Sequence, residues 1–317
     1  MLYISTRVDN DVYTAHKTMI GDQAKNGGVY APFSLPNFST EEIADLKNKQ
    51  FNQVVSEILN LFFSARLTEL DINFALGKKP CVIHAMNHRI AVAELWHNSG
   101  KNYDYLAQRL YSKLCNNEGC SEEPTDWAKI AVDIAILFGV YAESLRDGVI
   151  ELGQLIDISA DTERFSAICA AWYARKMGLP IGTIICTEKG SGAIWDLIHR
   201  GSFSVIQANT VIVRGIERLL FEMLDADAAQ RFVDCVENRQ TFMITEDERA
   251  VFSDGFFCSV AGSDRAAAVI NSVFRSNTYT IDQEAALCYG GLQDYRARNG
   301  EGRLTLLFGR YAPAAEG

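Results

Sequence analysis

The sequence predicts a helical amino-terminal unit followed by an α/β domain built around a mainly parallel sheet. Three observations carry this expectation. Residues 1–78 hold capped segments with one-face helical spacing, whereas from residue 149 onward short apolar runs alternate with helical runs. The 317 residues are 48% hydrophobic and 22% charged, an ordinary globular balance with chain enough for about two domains.

The elements follow in order. Asn26-Gly27-Gly28 is a turn, because Asn-Gly supplies positive-φ positions cheaply, and it leads into the extended piece Val29-Tyr30-Ala31-Pro32. Ser39 caps a helix, and Glu42 three residues on completes a capping box. Val54, Val55, Ile58, Leu59 and Phe62 mark the buried face of a helix over 51–63. Thr68 opens a short helix ending near Gly77. Cys81–His84 and Ile90–Leu95 read as two strands around the turn Asn87-His88-Arg89. After the loop His97–Lys101, Asn102 caps a helix with Tyr103, Leu106, Leu110 and Leu114 on its apolar face. Residues 118–124 break the pattern. From Thr125 a long helix runs through Trp127, Ile130, Ile134, Leu137 and Tyr141 and stops before Gly148.

Beyond it, strand-like runs fall at Val149–Ile158, Ile181–Cys186, Phe203–Val205 and Leu304–Phe308. Helical runs fall at Arg164–Met177, Ala193–His199, Gly215–Leu224, Ala226–Glu237, Asp264–Ser276 and Asp282–Ala297. Asp225, Asp227 and Asp234 read as a solvated helix face.

Composition removes several function classes. The 30 Lys and Arg against 40 Asp and Glu give a net charge of -10 with no basic stripe, which argues against a nucleic-acid surface. No uncharged apolar run approaches the ~18 residues of a membrane span, and Met1–Arg7 lacks a signal-peptide apolar region. The eight cysteines sit mostly inside apolar runs, as reduced buried thiols do, so the expected setting is the cytoplasm. Cys115 and Cys120 have no second Cys/His pair to complete a zinc site. No Ser or Cys stands in a Gly-x-Ser-x-Gly elbow. Gly190-Ser191-Gly192 offers backbone N–H groups to an anion but is more simply a strand-to-helix turn. Residue chemistry alone reaches no reaction.

Several stretches together resemble threonine synthase, a pyridoxal-phosphate (PLP) enzyme. These are Leu2–Arg7, Asn26–Pro32, Glu94-Leu95-Trp96-His97, Asp126-Trp127-Ala128-Lys129-Ile130, Tyr173–Ile181 and Ile216–Glu222, in collinear order over most of the chain. The resemblance implies PLP fold type II with the small domain largely deleted. Residues 1–79 would be the amino-terminal domain, 80–124 a remnant of the small domain, and 125–317 the large α/β domain.

The positions that carry catalysis in the family are altered. Its lysine loop, His-Gly-Pro-Thr-Leu-Ala-Phe-Lys-Asp, is here His97-Asn98-Ser99-Gly100-Lys101-Asn102-Tyr103-Asp104. Asp104 falls on the lysine position when no gap is allowed, and a carboxylate forms no imine. Lys101, three residues away, is the rescue candidate; its plain alternative is a solvated lysine beside a helix start. The Gly-Asn-Phe-Gly phosphate cradle becomes Glu163-Arg164-Phe165-Ser166. Glu163 would repel a phosphate by on the order of 4 kcal/mol per charge at ~4 Å and an effective dielectric near 20, with Arg164 offsetting part of it. Asp-Pro-His-Thr-Ala becomes Asp282-Gln283-Glu284-Ala285-Ala286. Where the family places a ring-facing hydroxyl stands Phe308, which cannot bond a pyridine nitrogen.

The resemblance therefore implies a non-catalytic relative with no cofactor. Its expected role is interaction or regulation, or binding of a small anion or amino acid around Arg164, Glu188 and Arg214. The alternative is an active PLP-dependent lyase converting O-phosphohomoserine to threonine. Loss of the small domain would bare an apolar face, so a homo-oligomer or a partner protein is expected there.

Overall fold

A computed structural model describes the chain except residues 8–9, 98–102, 116–121, 205–207, 301 and 314–317; side chains of 103–107 and 109 are likewise not described. The elements are β1 (Leu2–Ser5), β2 (Tyr13–Thr14), α1 (Ala15–Ile20), β3 (Tyr30–Pro32), α2 (Thr40–Asp45), α3 (Phe51–Phe63), α4 (Glu69–Leu76), β4 (Val82–Asn87), β5 (Ile90–Glu94), α5 (Tyr103–Cys115) and α6 (Asp126–Arg146). There follow β6 (Ile156–Asp161), α7 (Phe165–Lys176), β7 (Ile181–Glu188), α8 (Ala193–Arg200), β8 (Ser202–Ser204), α9 (Thr210–Met223), α10 (Ala226–Glu237), β9 (Thr241–Met243), α11 (Glu246–Gly255), β10 (Phe256–Val260), α12 (Ser263–Asn277), α13 (Gln283–Asn299) and β11 (Thr305–Gly309).

The central sheet has the order β10-β7-β6-β11-β5-β4, parallel throughout except for the β4–β5 hairpin at one edge. Successive strand residues face opposite sides, and each side is covered. Ala91, Ala93, Ile158, Ile184 and Leu306 pack with α6 and α7, while Ile90, Val92, Ile185 and Leu307 pack with α12 and α13. The mixed α/β class with a parallel-rich sheet is therefore as expected.

α6 lies between α3 and α7 and is buried on nearly every face, so its apolar residues run around the helix instead of along one stripe. Gly139 permits a close approach to α3: a Cβ there would stand 2.8 Å from the Phe51 ring. Glu217, 2% exposed, ties the opening strands to α9 by accepting from the Thr6 hydroxyl at 2.5 Å and the Val29 N–H at 3.4 Å.

Four local expectations need correction. The first 78 residues carry a three-stranded antiparallel sheet, β2-β1-β3, beside their helices. The run Val149–Ile158 is a turn as far as residue 155, because Gly148 and Gly153 adopt φ +70 and +77 and carry the chain around; the strand is Ile156–Asp161. Phe203 belongs to a separate antiparallel pair, β8–β9, outside the central sheet. α9 begins at Thr210, five residues ahead of Gly215, because Asn209 accepts from the Ile212 N–H and caps it there. Asp225, Asp227 and Asp234 are all exposed, as expected, and Asp225 in addition caps α10.

Among the described residues, no helix is long and apolar enough to cross a membrane, and no cluster of three or more His, Cys, Asp or Glu is placed to hold a metal ion. Cys120 lies outside those residues.

Candidate functional site

Parallel strands deliver their carboxyl ends to one edge of the sheet, the usual place for a ligand crevice in an open α/β fold. Here β6 ends at Asp161, β7 at Glu188, β5 at Glu94 and β11 at Gly309. Two clefts open there, with Arg164 and Glu163 in the wall between them. One, of about 550 Å³, lies against α6, α7 and α9. The other, of about 890 Å³, is bounded by Asp161, Lys189 and the start of α13.

The segment Glu163-Arg164-Phe165-Ser166 stands at the amino end of α7, and it is a closed structure. Asp161 accepts from the Glu163 N–H at 2.9 Å. Lys189 then bridges Asp161 at 3.0 Å and Glu163 at 2.9 Å. The two carboxylates hold the Lys189 proton more tightly than usual and outweigh the burial that opposes it, so the amine stays an ammonium. Arg164 donates to Glu284 at 3.1 Å and to the Tyr311 hydroxyl. Glu284 pairs with Arg310 at 3.1 Å, Arg310 approaches Asp133 at 3.8 Å, and Ser166 donates to Asp133 at 2.7 Å. A chain of paired groups thus runs from Ser166 to Tyr311. Phe165 is buried against Gly215, where a Cβ would come within 2.1 Å of its ring.

The remaining candidates are dispersed. Glu188 does not face a cleft; its carboxylate fills the amino end of α8. It accepts from the Ser191 hydroxyl at 2.9 Å and from the N–H groups of Ala193, Ile194 and Trp195 at 3.0, 3.1 and 3.1 Å. The Gly190–Gly192 turn is therefore occupied by the chain's own anion. Arg214 closes onto Asp22 at 2.6 Å and Asp126 at 3.2 Å. The structure does not bring Arg164, Glu188 and Arg214 into one cleft, because Glu188 and Arg214 are each consumed by a nearer partner. Phe308 is half-buried, with the Arg310 guanidinium 5.7 Å from its ring. Lys101 lies outside the described residues, as does the side chain of Asp104 on α5.

Sequence reasoning missed Lys189, Asp133, Arg310 and Tyr311 as members of this network. The available signal was position, since Lys189 and Arg310 each stand directly after the carboxyl end of a parallel strand. Buried Asp282 caps α13 through one oxygen, accepting from the Ala285 N–H at 2.9 Å, while Oδ2 has no partner among the described residues. Desolvation raises its carboxyl to about 6. Cys169, in the smaller cleft, is pushed by burial to about 12 and stays a neutral thiol.

Pyridoxal phosphate needs an amine for its aldehyde, an open backbone nest for its phosphate and a polar group for its ring nitrogen. The described residues do not fit it. Lys189 is held as a paired ammonium, two carboxylates and a tied arginine occupy the nest, and Phe308 has no polar atom.

Residues 2–77 match the family model described as "Threonine synthase N terminus". "Threonine synthase-like 1" of Homo sapiens is 22% identical over 179 residues, 53% of this chain and 24% of that protein. "Threonine synthase" of Pseudomonas aeruginosa is 24% identical over 125 residues, 37% of this chain and 27% of that protein. The chain thus spans about a quarter of the length of the curated relatives it matches. PLP-bound threonine synthase from Brucella melitensis superposes with a TM-score of 0.83 at 17% identity, covering 99% of this chain and 89% of that one. Yeast threonine synthase superposes at 0.80 with 13% identity, covering 99% and 87%.

Proposed function

We infer from the amino-terminal family match and the curated relatives that the chain belongs to the threonine synthase family, and from that premise we propose that it works without pyridoxal phosphate, as a non-catalytic member that binds a small anion or amino acid in its remnant crevice. One observation carries the reading: the amino end of α7 is closed by Asp161, Glu163 and Lys189, held to one another at 2.9–3.0 Å. An incoming phosphate dianion would have to break that triad and then face two carboxylates, each repelling a unit charge by on the order of 4 kcal/mol at ~4 Å. The ammonium that offsets them is already shared between both.

The test uses the whole chain incubated with PLP. The expected result is a colourless protein after desalting and no pyridoxyl-lysine peptide after borohydride. A band at roughly 410 to 430 nm that disappears on borohydride treatment is the signature of an internal aldimine. Its appearance, with threonine formed from O-phosphohomoserine, would replace this reading with that of an active PLP-dependent lyase.

A further inference from the structure

The geometry points to the cleft between α6, α7 and α9 as a site for a small organic monocarboxylate carrying an apolar tail. This rests on the non-catalytic binding reading above and names the ligand class. The cleft measures about 550 Å³, within the usual range for small-molecule sites. Ile130, Phe165 and Val211 give it an apolar wall.

Its charged groups are unequally satisfied. Every carboxylate on the wall is engaged: Asp126 with Arg214 at 3.2 Å, Asp133 with Ser166 at 2.7 Å, Glu163 with Lys189 at 2.9 Å, and Glu123 as well. Two cations keep donor capacity to spare. Lys129, half-buried on α6, has no ion pair among the described residues. Arg218 is 1% exposed. Its Nε donates to the Tyr30 carbonyl at 2.9 Å, and its guanidinium lies 5.9 Å from the Trp127 ring, but its buried Nη2 has no acceptor among the described residues.

A buried guanidinium donor left without an acceptor is costly. A ligand carboxylate supplies the missing acceptor, with one oxygen for Arg218 and the other for Lys129. Two cationic groups, one for each oxygen, suit a carboxylate better than the three oxygens of a phosphate. The carboxylates in the wall also penalise a dianion more than a monoanion. The apolar residues then take the tail.

The experiment is calorimetric titration of the full chain with hexanoate, acetate, norleucine and inorganic phosphate. Hexanoate is expected to bind at least tenfold more tightly than acetate, norleucine or phosphate. Lys129→Gln is expected to weaken hexanoate at least tenfold with an unchanged urea midpoint. Val211→Asp, at a position 40% exposed and therefore tolerant of change, places a repelling charge in the cleft and is expected to do the same. No hexanoate binding, binding indifferent to both substitutions, or tighter binding of phosphate or norleucine would overturn the assignment. An aldimine band would refute the cofactor-free reading through a separate signal and leave the titrations interpretable.

Discussion

Glu188→Ala tests whether the anion nest at α8 is sealed from within. The Glu188 carboxylate is 2% exposed and accepts three backbone N–H bonds and one hydroxyl bond, all between 2.9 and 3.1 Å. Bonds to a charged acceptor contribute about 1.5 to 3 kcal/mol each, and the helix dipole adds up to about 2 kcal/mol. These contributions overlap, because one carboxylate makes all of them. Ala193 and Ile194 are 1% and 2% exposed, so water cannot readily replace the lost acceptor. The expected loss is about 3 to 6 kcal/mol, which at a urea dependence of about 3 kcal/mol per molar lowers the unfolding midpoint by about 1 to 2 M. Glu188→Gln keeps one acceptor oxygen without the charge and is expected to lose about half as much. Far-ultraviolet circular dichroism in urea reads both. Inorganic phosphate is expected to restore part of the Ala variant's midpoint by occupying the vacated helix end, and to leave the parent unaffected. A midpoint change below about 0.3 M in the Ala variant, or equal stabilisation of parent and variant by phosphate, would refute the internal cap.

Three further outcomes follow from the same geometry. Asp282 titrates at about 6 in place of 3.8, so the folded state holds its proton more tightly and stability falls as pH rises from about 4 to 6. Asp282→Asn is accordingly expected to be up to about 3 kcal/mol more stable than the parent at pH 7.5, and to lose that advantage below pH ~4, in paired urea titrations. Glu284→Ala leaves Arg310, 4% exposed, without its nearest carboxylate, and should cost about 3 to 5 kcal/mol by the same assay. Gly215→Ala puts a methyl 2.1 Å from the Phe165 ring, which must move; the expected cost is about 1 to 3 kcal/mol, with Phe165 displaced in a crystal structure of the variant.

What the sequence discloses about this fold is what neighbouring residues decide. The capping box at Ser39–Glu42 forms as read, α4 opens after Thr68 with Asp71 completing a second box, and α6 starts at the Thr125 cap, because each depends on residues three apart. The segment 149–158 misleads because Ile150 is buried like a strand residue, at 3% exposure, while serving a turn. α11 escaped notice because its acidic run buries little beyond Phe252 and shows no apolar stripe. The candidate site divides in the same way. The loss of a glycine cradle at 163–166 is legible in the local sequence. Its consequence is not, because Lys189 reaches Glu163 across 26 positions and Arg164 reaches Glu284 across 120. Glu163 alone looks like an unbalanced charge at a phosphate position, and only the folded chain supplies the ammonium that pairs with it.

That pairing extends beyond one loop. At the carboxyl end of the sheet, Asp161 accepts a backbone N–H just before α7, Glu188 caps α8 and Asp282 caps α13. Helix amino ends are where an α/β fold ordinarily receives anions, since free N–H groups and the dipole converge there. In this chain each of the three is met by a carboxylate of its own, so an external dianion finds neither a free donor nor a favourable field. Two cations of the smaller cleft, Lys129 on α6 and Arg218 on α9 with its unmet Nη2, lie away from those helix ends. A fold whose helix ends are internally neutralised can still hold a ligand, but only where side-chain cations, not backbone nests, supply the attraction.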